Sequence, residues 1–335
     1  MKKIVALVLT LALCLGLVAF ANADGLIKVG IINLDPSESG YREANVKNLQ
    51  EVFTEENGYD AKFATAIDDK AQIEAINTFI ADEVSYILFS PAAETGYNGV
   101  LESAKEAGIK VFIFDRMLKD VKEDLYEAAV VSDMRKEGET AVAWLESLGL
   151  EEYKVLHIMG QMGSPAQVGR SEPLQEKCAA DEKWTMVREG TGGDQWDPNE
   201  ARTIAEAAIN AGEDFNIVYA ENDGMAAGVV AALDKAGIEH GVGKKVIVMG
   251  FDCNKWALKK LLDGEWNYDG QCSPFQAAVI DEMIKKLEAG EAIEGLNEKG
   301  QIISEEKGFD ATTITQEDID TYGLGKIDEG EPTFE

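Results

Sequence analysis

Short apolar, β-branched runs alternate with longer amphipathic stretches along most of this chain. The runs 27–32, 60–65, 84–89, 110–114, 126–131, 153–158, 184–189, 215–220 and 245–251 predict strands, and Asn267 to Gln271 predicts one more. Between them lie helical patterns such as Val46, Leu49, Val52 and Phe53, which fall on one stripe. Gly58, Gly108 and Gly237 read as glycines that end helices. Near-continuous apolar strands separated by single helices imply parallel sheets covered on both faces. The rhythm runs twice, over about 26–131 and 153–251, predicting two doubly wound α/β domains joined by short crossings, the first near Val130 to Met134.

The amino terminus follows a different pattern. Lys2 and Lys3 precede an apolar run from Ile4 to Phe20, and Ala21-Asn-Ala23 is a small-x-small cleavage signal, so residues 1–23 read as a secretory signal peptide. Cys14 does not make a lipobox, because Leu13 stands where a small residue belongs. The net charge is −31, with acids spread along the chain, which repels phosphate backbones and excludes nucleic acid as a partner. Cys178, Cys253 and Cys272 remain after export; a Cys253 to Cys272 bridge is compatible with the sequence but not required by it. Two histidines, His157 and His240, in no ligand spacing, leave no zinc site to build, and His157 reads as a core or strand-end residue. No cofactor or metal is expected.

In open α/β sheets ligands bind beyond the carboxyl ends of the strands. Here those ends carry Ser37-Glu-Ser-Gly-Tyr-Arg42, Ser90 to Tyr97, Asp115-Arg116, Gly160 to Ser164, Thr191 to Trp196, Glu221-Asn-Asp223, Asp252-Cys-Asn254 and Gln271. Acids, amides, arginines and aromatics together suit a sugar: hydroxyls both donate and accept, and the C–H face of the ring packs on Tyr or Trp. Phosphate-loop and dinucleotide fingerprints are absent, as is a G-x-S-x-G elbow. A carboxylate pair such as Asp115 with Asp252 is the remaining catalytic option, and Arg116 beside Asp115 works against the protonated acid it needs.

The order of these motifs resembles the periplasmic sugar-binding proteins of ABC transporters, of the galactofuranose- and ribose-binding type, over about residues 26–320. The resemblance implies a type I periplasmic binding protein fold: two lobes joined by a three-segment hinge, with 24–133 and 272–300 in the first lobe and 134–271 and 301–335 in the second. It implies a monosaccharide ligand held by Glu38, Ser39, Tyr41, Arg42, Asp115 and Arg116 from one side and Arg170, Trp196, Asn222, Asp252 and Gln271 from the other. The expected partners are ABC permease subunits or, alternatively, a chemoreceptor or sensor kinase. The chain is expected to be a monomer and not an enzyme. Pro173 near Arg170, and Cys253 where relatives carry glycine, depart from the family pattern, and Trp256 adds an aromatic that relatives lack. The acidic tail from Asp328 is expected to be disordered.

Overall fold

The computed structural model describes residues 25–334; the expected signal peptide lies outside them. The first lobe begins with β1 (Ile27–Asn33), α1 (Gly40–Val52), β2 (Tyr59–Thr65), α2 (Asp69–Ala81), β3 (Tyr86–Phe89), α3 (Asn98–Glu106), β4 (Lys110–Asp115) and β5 (Ala128–Val131). The second contains α4 (Met134–Ser147), β6 (Tyr153–Met159), α5 (Pro165–Ala180), β7 (Trp184–Thr191), α6 (Pro198–Asn210), β8 (Ile217–Ala220), α7 (Asp223–Ala236), β9 (Ile247–Phe251), α8 (Lys255–Leu262) and β10 (Tyr268–Gly270). The chain then returns through α9 (Ala277–Glu288) and β11 (Gln301–Ile303) to the first lobe, and ends with β12 (Gly308–Asp310) and α10 (Gln316–Tyr322) on the second.

Each lobe is one six-stranded sheet, in the orders β11-β5-β4-β3-β1-β2 and β12-β10-β9-β8-β6-β7. All described pairings are parallel except β10 with β12. Helices cover both faces, so each sheet separates two apolar clusters. Burial of both faces explains the near-continuous apolar strands. The strand order reverses beside β1 in one sheet and beside β6 in the other, which places the loops after these strands at the switch points.

β11 and β12 are three residues each and too short to show an apolar alternation in the sequence. β11 also moves a boundary: Gln301–Ile303 pair with Ala129–Val131, so the first lobe extends past residue 300. The crossings are Ser132–Asp133, 271–276 and 304–307. Glu306 ties all three, its Oε1 accepting from Ser132 Oγ (2.6 Å) and from Ser273 N (2.7 Å).

Candidate functional site

Two carboxylates stand at the ends of corresponding strands, and both sit on left-handed backbone: Asp115 at φ 67° is the last residue of β4, and Asp252 at φ 100° directly follows β9, with Cys253 next at φ 61°. Such conformations are costly for residues with a Cβ and persist only where surroundings enforce them. Around Asp252 the enforcement is visible: Asp252 N donates to Gly270 O, Cys253 N to Asp269, and Asn254 N and Nδ2 to Asp223 Oδ2. Cys253 thus occupies a glycine-like turn without forming a bridge; among the described residues Cys178, Cys253 and Cys272 are all free.

The first wall is a compensated charge cluster. Asp115 Oδ2 accepts from Arg42 Nη2 (2.7 Å) and Ser90 Oγ (2.6 Å), while Oδ1 accepts from Tyr41 OH (2.8 Å). Burial pushes the Asp115 carboxyl up, but the Arg42 and Arg116 guanidiniums and the Ser90 hydroxyl outweigh it and hold it below its usual value. Glu38 accepts from Arg42 Nε (3.2 Å) and Arg116 Nη2 (3.4 Å). Ser39 caps α1 by accepting from Arg42 N.

Arg42 itself departs from expectation. It is 0% exposed, and its Nη1 donates to Asn33 (2.8 Å) and Asn45, so its fork is filled by protein acceptors and it stands behind the wall. The outward cation is Arg116, whose buried Nε and Nη1 have no hydrogen-bond partner.

The second wall is held by Arg170, which donates from Nε to Glu137 (2.7 Å), from Nη2 to Asp252 Oδ1 (3.1 Å) and from Nη1 to Glu221 O. Pro173 lies inside α5 and does not displace it. One arginine serves two acids here, so burial dominates: the Asp252 carboxyl rises to about 7 despite Arg170, and Glu137 is pushed well above its usual value. Behind them burial raises Asp223 and Asp269, helped by repulsion from Asp252 at the first and from Asp223 at the second.

Trp196 is 3% exposed in left-handed backbone, its ring lying over Gly160, where a Cβ would come within 2.0 Å; its Nε1 lacks a partner. The Gly160 loop is fixed by Glu221, which accepts from Gly160 N (2.8 Å) and contacts His157 Nε2 (3.0 Å), so His157 is a buried network residue.

The lobes touch. Tyr41 packs into the second lobe's core, and a Cβ on Gly40 would lie 2.0 Å from Asn254 Oδ1. Between them is a cavity with about 280 Å³ of non-atom space. Nine of the expected residues line it: Glu38, Ser39, Tyr41, Asp115, Arg116, Arg170, Trp196, Asn222 and Asp252. Gln271 does not; it lines a separate pocket behind the hinge with Glu137 and Glu306. Met134, Ala166 and Cys272 also line the cavity and were not anticipated, being apolar residues at an element start or crossing with no chemical signal of their own.

A two-lobed α/β protein with a polar cavity at paired switch points defines a binding-protein architecture, and residues 29–292 match the family described as periplasmic binding protein domain. The chain belongs to that family. It is similar to the fructose import binding protein FruE of Bifidobacterium longum (strain NCC 2705), 28% identical, with 94% of this chain and 96% of the relative covered. It is also similar to the galactofuranose-binding protein YtfQ of Escherichia coli (strain K12), 28% identical over 75% of this chain and 79% of the relative. Among solved structures, the periplasmic binding protein component of the arabinose ABC transporter from Shewanella sp. ANA-3, bound to α- and β-L-arabinofuranose, superposes with TM-score 0.76 at 27% identity, covering 85% of this chain and 92% of that one.

Proposed function

We propose that this chain is an exported solute-binding protein that captures a neutral monosaccharide between its lobes and delivers it to an ABC permease. The observation that carries the reading is the interlobe cavity, in which donors without partners, Arg116 Nη1 and Trp196 Nε1, meet the acceptors Glu38, Asp115 and Asp252. Unpaired buried donors are costly until a ligand supplies acceptors. Glu38 and Asp115 are paired with Arg42 and Arg116, and Asp252 shares Arg170 with Glu137, so every one of these arginines already faces a carboxylate, which favours an uncharged ligand over a sugar acid. Relatives named for fructose, galactofuranose and arabinofuranose support the same class. Closure excludes water and completes the hydrogen bonds, and a permease then recognises the closed form. The test is a thermal-shift screen with D-fructose, D-ribose, L-arabinose and D-galactose: one or more raises the melting temperature in a saturable manner, and flat curves throughout reject the reading.

One observation favours a second reading. Asp115 held low and Asp252 raised to about 7 is the split that a glycosidase acid and base require. Against it, both Asp115 oxygens already accept protein hydrogen bonds. Release of free sugar from nitrophenyl glycosides would establish it.

A further inference from the structure

His157, on β6, is 0% exposed and does not line the cavity. Each of its ring nitrogens nevertheless faces a carboxylate oxygen: Nδ1 lies 3.2 Å from Glu189 Oε1 on β7, and Nε2 lies 3.0 Å from Glu221 Oε1, directly after β8. A neutral imidazole carries one N–H, so only the imidazolium donates to both. Burial pushes the imidazole down, but the two hydrogen bonds outweigh it and hold it above its usual value. The remaining groups around this triad are neutral. The Tyr219 ring stands edge-on at 5.4 Å, Ser171 from α5 donates to Glu221 Oε1, and Gln175 from the same helix donates to Glu189 Oε1 (2.8 Å).

The Glu221 carboxylate is itself 0% exposed, and among the described residues His157 is its ion-pair partner; Arg170 Nη1 donates to the Glu221 carbonyl instead. A buried carboxylate without a cation takes up a proton, and one of its oxygens then becomes a donor. Both Glu221 oxygens are engaged as acceptors: Oε1 receives Ser171 and His157, and Oε2 receives Gly160 N (2.8 Å). A positive ring at His157 therefore keeps the Gly160 turn seated. Trp196 rests on that turn so closely that a Cβ at Gly160 would fall 2.0 Å from its ring. Two further cavity residues depend on the same position, Arg170 through the Glu221 carbonyl and Asn222 as the next residue in the chain.

We infer that His157 is a positioning residue of the sugar site: as an imidazolium it holds the Glu221 carboxylate, and Glu221 sets Trp196, Arg170 and Asn222 in the second wall. The inference rests on the sugar-binding reading above. It gives the two arms of the imidazolium unequal weight. Glu221 is enclosed and tied to the cavity, whereas the Glu189 side chain is 36% exposed and has Gln175 as a second donor.

The experiment combines calorimetric titration of the exported chain at pH 7, using the sugar that shifts the melting curve, with nitrogen-15 NMR of the histidine rings, of which the chain has two. His157→Asn places an amide near the Nδ1 position and is expected to weaken binding about tenfold. His157→Gln places its amide near the Nε2 position, where it still donates to Glu221, and is expected to stay within about threefold of wild type although both variants lose melting temperature alike. Affinity lost equally in the two variants, lost more in His157→Gln, or lost in neither, overturns the positioning role. In wild type both His157 ring nitrogens should carry protons at pH 7, and their signals should move when sugar saturates the site while those of His240, outside the cavity, stay in place. A neutral His157 ring, or one whose signals ignore the sugar, overturns the inference even if neither variant folds. Silence of the wild type toward every sugar in the screen overturns the sugar reading instead.

Discussion

Asp115 and Asp252 stand on facing walls, each ending a strand, each in left-handed backbone and each touching an arginine. They nevertheless reach opposite states. Asp115 has Arg42 at 2.7 Å, Arg116 at 3.6 Å and two hydroxyl donors; Asp252 has Arg170, which also serves Glu137. The first wall is thus charged and finished before any ligand arrives, whereas the second holds more acid than its cation can balance. Counting cations around each carboxylate, rather than the residue type, decides which wall responds to pH.

Removing the finished wall's hub should have the largest effect. Asp115→Ala leaves Arg42 buried without its main partner, so the fold itself loses stability as well as the ligand; a fall in melting temperature of about 10 °C is expected in a thermal melt, with binding abolished. Asp252→Asn should separate the two effects: an amide resembles the protonated acid, so the melting temperature at pH 7 stays within about 2 °C while affinity falls by about tenfold to a hundredfold. An equal loss of stability in both variants would remove the distinction between the walls.

The pH dependences have opposite signs. The folded value of Asp252 lies above its unfolded value of 3.8, so its contribution to stability is full below about 3.8 and is lost as pH rises to about 7. The folded value of Asp115 lies below 3.8, so its contribution is present above that and is lost as pH falls through the lowered value. Melting curves across pH 4–8 should slope downward in both wild type and Asp252→Asn, because Glu137, Asp223 and Asp269 are raised as well, with the wild type the steeper by the share of Asp252. If ligand hydroxyls donate to ionised Asp252, affinity rises by up to tenfold per unit between pH 5 and 7 in wild type and stays flat in the variant. The smallest effect is expected at Gln271, which lies behind the hinge: Gln271→Ala should change affinity by less than about twofold in the same titration.

The two lobes and most strands were legible in the sequence because strands buried on both faces are written as apolar runs. β11 and β12 were not, since three-residue edge strands are fixed by the neighbours they pair with. The loop after β1 announced a site by residue type, and Glu38, Ser39 and Tyr41 do line the cavity. Arg42 shows where that signal ends. An arginine at a strand end can face the ligand or hold the residue that does, and only the positions of Asn33, Asn45, Ser90 and Asp115, up to 73 residues away, distinguish the two. The tail expected to be disordered is packed against the second lobe through Phe334 on its core and Glu331 on Lys260, two residues in a stretch whose acidic composition reads as solvated.

The central claim is that both walls close on one neutral sugar. Titration calorimetry at pH 7 with the sugar that shifts the melting curve, run on wild type, Asp115→Asn and Asp252→Asn, tests it most directly. The account predicts one molecule bound per chain without turnover, weakened by a substitution on either wall. Undiminished affinity in either variant, or consumption of the ligand, would contradict it.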